Sequence, residues 1–249
     1  KFSGSAGLGL LTSRINFEGP VIKNKASFLV GARKTYAGWI FDLLPESSGY
    51  RNTNASFHDV NLMLSAAPGI RDKFRLSGYL SHDESNLNTD TTYTYSNRNF
   101  SLEWSHEFKN TLRSVTTVSL DHFDYGNSSW SEPTLGYKLK FAIDQFNFKT
   151  DFAYELNSAH VLNFGLTSTY YALDPGTYQP RGSQSMIVPV TIPGEQGLES
   201  AIHLEDIMEL TSKFSVTAGV RYSVFNYLGA HNVNRYAPGL PRNEDNLTG

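Results

Sequence analysis

Histidine and carboxylate residues stand close together at two places in the sequence, and this combination can support hydrolysis. His82 is followed by Asp83 and Glu84, and His122 is followed two residues later by Asp124. An imidazole beside a carboxylate is a common pair for general acid–base catalysis. Both groups fall where a candidate strand meets a long connection, so polar residues at a membrane interface explain them as well. We favour this second interpretation, and the sequence predicts no catalytic residue.

A third acidic group could bind Ca²⁺, which prefers carboxylate oxygens. Glu205, Asp206 and Glu209 lie within five positions of one another. In a strand, successive side chains point to opposite faces, so Glu205 and Glu209 share a face with His203 while Asp206 points away. A row of charged side chains on one face explains the group without a cation. The sequence therefore predicts no metal site and no cofactor.

Three arginines are expected to lie on the polar faces of their strands: Arg14, Arg33 and Arg221. One interpretation is pairing with neighbouring carboxylates of the wall or with a separate domain held inside it. The alternative is an anion-selective lining. We favour charge pairing.

Two segments mix aromatic residues with amides and hydroxyls, namely Asn88–Tyr95 and Tyr125–Trp130. Rings can stack on apolar faces of a ligand while amides form hydrogen bonds, so such segments suit capture of a carbohydrate or a peptide. They also suit the headgroup layer of a membrane. The ligand and the residues that bind it are not identified by the sequence.

Composition limits what these residues can belong to. The chain has 249 residues, of which 39% are hydrophobic and 13% aromatic, and it has no cysteine and a net charge of −3. The absence of cysteine excludes disulfide scaffolds and thiolate metal sites, and the charge gives no bias toward nucleic acid. No segment approaches the length of a membrane helix. The chain opens at Lys1 without a signal peptide, so we expect a processed or truncated sequence.

Alternation of apolar and polar residues with a period of two recurs along nearly the whole chain and predicts β-strands. The clearest example is Phe100, Leu102 and Trp104, which alternate with polar neighbours. Runs of this kind give about ten strands of roughly 9–12 residues or longer, the length of a tilted membrane-spanning strand. They lie near residues 11–18, 27–36, 54–66, 74–81, 99–108, 113–123, 146–156, 161–171, 200–210 and 214–223.

The connections between these strands alternate between short and long. The short ones lie near residues 20–26, 67–73, 109–112, 157–160 and 211–213, and the long ones near 38–53, 84–96, 125–136, 175–197 and 227–249. Tight periplasmic turns and long extracellular loops alternate in this way in an up-and-down membrane barrel. The sequence therefore predicts an all-β, antiparallel, up-and-down transmembrane β-barrel, and residues 1–249 form about ten strands of a larger barrel.

Two motifs resemble one family of such barrels. The first contains Glu18-Gly19-Pro20, then Ser27-Phe28, then Arg33-Lys34-Thr35-Tyr36. It is similar to the first barrel hairpin of TonB-dependent receptors that carry an N-terminal carboxypeptidase-regulatory-like domain. The second leads from Glu205-Asp206 to Ala218-Gly219-Val220-Arg221-Tyr222-Ser223. It resembles a hairpin common in TonB-dependent barrels.

The resemblance implies an outer-membrane receptor that takes up a scarce ligand with energy delivered by TonB. It implies the TonB complex as a partner through a plug domain that is not in this chain, together with the lipid bilayer and, in some assemblies, outer-membrane lipoproteins. Three alternatives remain: a passive or structural barrel subunit of a larger assembly, an outer-membrane barrel hydrolase, and a soluble β-sandwich. The last predicts a water-soluble monomer. The resemblance implies no nucleic-acid partner and no enzymatic activity.

Overall fold

The computed structural model describes residues 1–51, 53–86, 90–229, 237–241, 244–246 and 248, and these form a nearly all-β structure. Its strands are β1 (Ser3–Leu8), β2 (Thr12–Ile22), β3 (Ala26–Tyr36), β4 (Asn54–Ala66), β5 (Asp72–Asn86), β6 (Thr91–Lys109), β7 (Leu112–Ser129), β8 (Tyr137–Asn157), β9 (His160–Pro180), β10 (Val190–Thr191), β11 (Glu195–Thr211) and β12 (Phe214–Tyr227). Helix α1 spans Gly38–Asp42, and short 3-10 turns span Glu46–Ser48 and Glu244–Asn246.

The strands form one antiparallel sheet in which neighbours in sequence are neighbours in space. The order runs from β1 to β9 and then through β11 to β12, while the two-residue β10 pairs with β9 beside that path. This order confirms the predicted up-and-down topology and all ten predicted strands. Strands β1 and β10 are additional. Within the described residues β1 and β12 remain the two edges of the sheet, so the sheet is not closed.

The paired registers divide the sheet into two faces of different chemistry. Leu102 of β6 lies opposite Leu76 of β5 and Val118 of β7, and this side is called the apolar face. Glu103 lies opposite Arg75 and Thr117 on the other side, called the polar face. The two faces follow directly from the period-two alternation of the sequence.

The apolar face is not covered by any other layer of the described structure. Phe100 is 49% exposed and Leu120 is 54% exposed, and Ala201 is the one hydrophobic residue among those described that is buried. A water-soluble sandwich of this size would bury its large hydrophobic side chains in a core. The fold therefore has the distribution expected when lipid is the solvent for one face. No helix among the described residues combines the length and the apolar composition needed to cross a bilayer.

Aromatic side chains mark the end of the apolar face near the short turns. Phe152 and Phe164 stack with ring centroids 5.2 Å apart, and Phe74 and Trp104 stack at 6.2 Å. The Trp104 indole donates a hydrogen bond of 2.9 Å to Asp72 at the start of β5. A ring with an apolar body and a bonded polar edge suits a membrane interface.

From β2 to β12 the connections alternate between the two ends of the sheet, as predicted, although the connection between β5 and β6 spans only residues 87–90. The turns at residues 23–25, 67–71, 110–111, 158–159 and 212–213 lie at one end of the sheet, and the long connections lie at the other. The turn at residues 9–11, between β1 and β2, is short but lies at the end of the long connections. The sequence did not reveal this turn because β1 is built from small residues and lacks apolar alternation.

The strands extend further toward the long connections than the sequence indicated. Strands β8 and β9 each have 21 residues, and β6 has 19. The connection predicted near residues 84–96 is therefore mostly strand, and the first five residues of the connection predicted near 125–136 belong to β7. The prediction that Tyr125–Trp130 is a loop is wrong, since β7 runs to Ser129. In the segment Asn88–Tyr95, the part from Thr91 belongs to β6, whereas Asn88 and Thr89 lie outside the described residues.

Candidate functional site

The chemistry of the two faces is exchanged in the upper parts of β6 to β9, toward the long connections. Aromatic residues replace polar ones on the polar face, while the apolar face becomes hydrophilic with His122 and Asp124 on β7. Apolar and polar residues continue to alternate along each strand without a break, but in this part of the sheet the apolar residues lie on the polar face. We call the aromatic surface produced by this exchange the aromatic wall. It consists of Tyr93, Tyr95, Phe123, Tyr125, Tyr137, Phe141 and Tyr178.

The rings of the aromatic wall contact one another across strands. Tyr125 has its ring centroid 5.0 Å from that of Tyr95 and 4.9 Å from that of Phe141. Tyr137 and Tyr178 lie 5.2 Å apart on β8 and β9. Tilted ring pairs at these distances stabilise one another by about 0.5–1.5 kcal/mol beyond their buried area. The rings are thus held in place by their neighbours and by the strands that carry them.

A network of hydrogen bonds centred on Asp121 lies directly below the wall. Its carboxylate accepts hydrogen bonds from the side-chain amides of Asn99 and Asn147, the latter at 2.7 Å, and from the Ser119 hydroxyl at 2.9 Å. Thr169 of β9 donates a hydrogen bond of 2.8 Å to the Asn147 side chain. The network fixes polar side chains from four strands on one surface.

A cavity of about 410 Å³ lies where the network and the wall meet. Its lining includes the polar side chains Asn97, Asn99 and Asp121 and the apolar side chains Phe123 and Ile143, all of which lie on the polar face of the sheet. Binding pockets for small molecules have this size and combine apolar walls with a few fixed polar groups. The cavity can therefore bind an organic ligand by ring contact and by hydrogen bonds to amides and a carboxylate.

The predicted arginines do lie on the polar face, and they differ in their partners. Arg33 donates hydrogen bonds of 2.9 Å and 2.5 Å to Asp59, and its guanidinium stacks over the Phe57 ring at 4.7 Å. Arg14 lies directly opposite Arg33 in the neighbouring strand. Arg221 donates a hydrogen bond of 3.3 Å to Ser223. Charge pairing with the wall, the interpretation favoured from the sequence, therefore describes Arg33.

The candidate hydrolytic groups do not converge. His82 contacts the Ser96 hydroxyl at 2.9 Å, while Nδ1 of His122 lies 2.6 Å from Asp144 and its Nε2 lies 3.4 Å from Asp124. Both imidazoles point out of the upper part of the apolar face. Among the described residues no hydroxyl, imidazole and carboxylate are joined in one relay, which is the arrangement that nucleophilic catalysis by serine uses.

The acidic group near the end of β11 is divided between the two faces. Glu205 accepts a hydrogen bond of 3.0 Å from Asn163 on the polar face, whereas Asp206 pairs with His160 at 2.8 Å on the other. In the described part of the chain no three histidine, aspartate or glutamate residues are placed to hold a metal ion.

Arg181 joins two of the long connections beside the aromatic wall. Its guanidinium lies 4.2 Å from the centre of the Trp130 ring and donates a hydrogen bond of 2.6 Å to Ser128. Its backbone amide bonds Gly136, which also accepts a hydrogen bond from the Ser185 hydroxyl. Burial lowers the pKa of Arg181 from its ordinary value, although arginine remains protonated at neutral pH.

Arg181→Ala is expected to loosen these two connections without unfolding the sheet. The change removes a cation–π contact worth about 0.5–2 kcal/mol and a charged hydrogen bond worth about 1.5–3 kcal/mol. Amides of residues 130–136 and 182–186 should then exchange with deuterium faster, while those of the lower part of β7 stay protected. Lys138→Ala, which removes a nearby cation with no described partner, is the control. Equal exchange in both variants would show that Arg181 does not fasten the connections.

The sequence located part of the candidate site and missed the rest. Tyr93, Tyr95 and Tyr125 lie within the two segments whose composition suits either ligand capture or the headgroup layer. Phe123, Phe141 and Tyr178 were not assigned to the candidate site. The continued alternation of Leu139, Phe141 and Ile143 with charged neighbours could have revealed them, had the exchange of faces been considered.

The sequence matches the family described as TonB dependent receptor-like, beta-barrel, over residues 31–249. No functionally curated protein matches it. Several solved structures share its fold, and their low sequence identity limits that similarity to the fold alone.

Three of these structures come from Gram-negative bacteria. BauA, the ferric preacinetobactin receptor of Acinetobacter baumannii, has a TM-score of 0.68 and 10% identity, covering 94% of this chain and 42% of its own. The ferric-catecholate import receptor Fiu of Escherichia coli K12 has a TM-score of 0.64 and 11% sequence identity, and the match covers 99% of this chain and 48% of Fiu. FpvA of Pseudomonas aeruginosa, bound to a heterologous pyoverdine, has a TM-score of 0.64 and 11% sequence identity, and the match covers 92% of this chain and 37% of FpvA. The chain thus spans less than half the length of each.

Proposed function

The chain belongs to the TonB-dependent receptor-like β-barrel family, whose members are proteins of the bacterial outer membrane, and from this premise we propose that it forms part of the wall of a receptor for energised ligand uptake. The apolar face then contacts lipid and the polar face lines the interior. The short turns lie in the periplasm and the long connections outside the cell. The aromatic wall stands at the outer mouth.

The observation that carries this proposal is the aromatic wall above the Asp121 network, with the 410 Å³ cavity between them. The interior of a porin is typically polar and filled with water. An aromatic surface on the inward side of strands that rise above the bilayer instead suits a ligand that must be concentrated from dilute solution. The wall therefore favours a receptor over a passive or structural barrel, and no residue geometry favours a hydrolase.

The side chains of the candidate site indicate the general chemistry of its ligand. Rings with a fixed carboxylate and amides suit a molecule with both apolar faces and hydrogen-bonding groups. Receptors for ferric preacinetobactin and for iron-loaded pyoverdine share the fold. An iron chelate, a glycan, a peptide and a cobalamin all have the required chemistry. The wall and the network would hold such a ligand, and no side chain of this chain is required to change it chemically.

The proposed receptor also includes a plug domain and further strands that lie outside residues 1–249. A plug domain, preceded by a carboxypeptidase-regulatory-like domain, would close the interior and carry the segment that TonB pulls. Remaining strands would pair with β1 and β12, since an open sheet edge is not tolerated in hydrocarbon. Outer-membrane lipoproteins are further candidate partners at the outer mouth.

Planar-bilayer recording on the full-length protein separates the receptor from a passive pore. We expect no steady ion conductance from the intact protein and a large conductance once the plug is deleted. The purified C-terminal domain of TonB should bind the intact protein and not the plug-deleted form. A large, constant conductance from the intact protein, without TonB binding, would contradict the receptor and identify a passive pore.

A further inference from the structure

On the lipid-facing surface, the apolar runs of neighbouring strands end in a row of basic and imidazole side chains. In each strand this is the first polar residue beyond the apolar run, on the side of the long connections. We call these five residues the boundary row: Lys34 of β3, His58 of β4, His82 of β5, Arg98 of β6 and His122 of β7.

The strand registers place the members of the boundary row side by side, except between β5 and β6, where Arg98 lies opposite Leu80, two residues below His82. Lys34 lies directly opposite His58, and His58 lies directly opposite His82, with their imidazole centroids 5.5 Å apart. Arg98 lies directly opposite His122 on the next pair of strands. Over five adjacent strands, the row therefore follows the upper edge of the lipid-facing surface.

The two permanent cations of the row are free to bind. Lys34 and Arg98 are exposed, and neither has a hydrogen bond or an ion pair with any of the described residues. His122, by contrast, already contacts Asp124 and Asp144. A cation at the edge of an apolar surface costs stability unless the headgroup layer supplies anions or water. Two unpaired cations at this level fit an anionic headgroup.

A groove of about 670 Å³ opens in the apolar face directly below Arg98. Its apolar lining includes Leu62, Leu80, Phe100 and Phe146. A Cβ at Gly78 would meet no atom closer than 4.0 Å, so the missing side chain adds open space to the groove. Arg98, His122 and Asp144 also line the groove, while its apolar part accommodates hydrocarbon.

We propose that the boundary row and this groove together bind one phosphorylated, multiply acylated lipid of the outer leaflet. Its phosphate groups would contact Lys34 and Arg98, with the imidazoles between them as further donors. One acyl chain would occupy the groove at Gly78. The site is distinct from the aromatic wall, because it lies on the opposite face of the same strands. It depends on the outer-membrane location of the protein and not on ligand uptake.

Binding of diphosphoryl lipid A to the full-length protein in detergent, measured by native mass spectrometry, tests this site. A basic residue near an anionic lipid surface contributes about fivefold in affinity, so Lys34→Gln with Arg98→Gln should weaken binding by about 25-fold. Lys73→Gln with Arg113→Gln removes two cations from the polar face and is the matched control, which should leave the affinity unchanged. Phosphatidylcholine should bind weakly to all three proteins.

Three outcomes would overturn the proposal. The Lys34/Arg98 variant could bind diphosphoryl lipid A as well as the unaltered protein does. Phosphatidylcholine could bind as tightly as the phosphorylated lipid. Inorganic phosphate could compete as well as the lipid does, which would exclude acyl chains as part of the recognition. Gly78→Val provides a second variant, since it fills the groove and should weaken lipid binding without altering any charge.

Discussion

Val118→Arg is expected to destabilise the full-length protein in the outer membrane by about 2–4 kcal/mol and so to lower the amount of folded protein, whereas Thr117→Arg is expected to be tolerated. Val118 lies between Leu102 and Phe148 on the apolar face, near the middle of the lipid-facing run. An arginine at the bilayer midplane of a barrel costs about 2–4 kcal/mol. That is a large share of the roughly 5–15 kcal/mol that separates most folded proteins from their unfolded state.

Thr117 provides the matched control because it is the adjacent residue on the same strand. It lies between Glu103 and Lys149 on the polar face, where an arginine can reach a carboxylate and water. Folded protein would be measured in outer-membrane fractions by its shifted migration on unheated gels, and stability by urea unfolding in lipid vesicles. Equal loss of folded protein in both variants would contradict the assignment of the two faces.

The second large effect is expected at the Arg33–Asp59 ion pair of the polar face, in which the carboxylate is buried. Arg33→Ala should destabilise the full-length protein by about 3–5 kcal/mol, because it leaves the Asp59 carboxylate without its partner in a buried position. The side chain of Asp59 is only 4% exposed, whereas that of Arg33 is 50% exposed. Asp59→Ala should cost less, about 1–3 kcal/mol, since the freed guanidinium can regain water.

A double-mutant cycle distinguishes the pair from two independent effects. The variant lacking both side chains should be more stable than the sum of the single losses predicts, because neither charge is then left alone. Arg75 and Glu103, 3.3 Å apart with side chains 55% and 31% exposed, form the control pair on the same face. Breaking an exposed pair of this kind should cost about 0–1 kcal/mol. Equal costs for the two pairs would show that burial does not govern the Arg33–Asp59 contact.

The sequence predicted the membrane-spanning part of each strand correctly because lipid imposes a simple rule there. Every second residue must be apolar, as Phe100, Leu102 and Trp104 show, and a slip of one residue would place charge in hydrocarbon. The rule needs no knowledge of distant contacts. Topology followed in the same way, because the short turns leave antiparallel neighbours as the only arrangement.

The upper parts of the strands were predicted less well because the same rule does not apply there. Above the bilayer both faces meet water or ligand, and the segment from Thr91 to Asn97 has its aromatic residues on the side that was polar below. A search for one continuous apolar face therefore ended the strand too early. Strand β10, with two residues, has too few positions for any periodicity, and it depends on contacts with Thr177 and Tyr178.

The residues of the candidate site also fall into two groups: those that local composition indicates, and those that only the pairing of strands brings together. The composition of their segments is enough to mark Tyr93, Tyr95 and Tyr125 as candidates for ligand contact or for the headgroup layer. Their association with Phe141 and Tyr178 depends on the registers of β7 with β8 and of β8 with β9. Those registers include a bulge between Lys140 and Ala142, which alternation does not reveal. One of the two partners of His122, Asp144, is likewise supplied by a neighbouring strand, whereas Asp124 lies on the same strand.

The extension of β6 to β9 above the bilayer has a consequence for how a ligand would be held. The rings of the aromatic wall are carried by backbone that is fixed in ladder hydrogen bonds. Ordering a mobile segment costs roughly 1–2 kcal/mol of conformational entropy per residue, and that cost was already met when the sheet folded. Encounter with this surface therefore requires no prior ordering of the rings, and the lifetime of the complex is set by the contacts themselves.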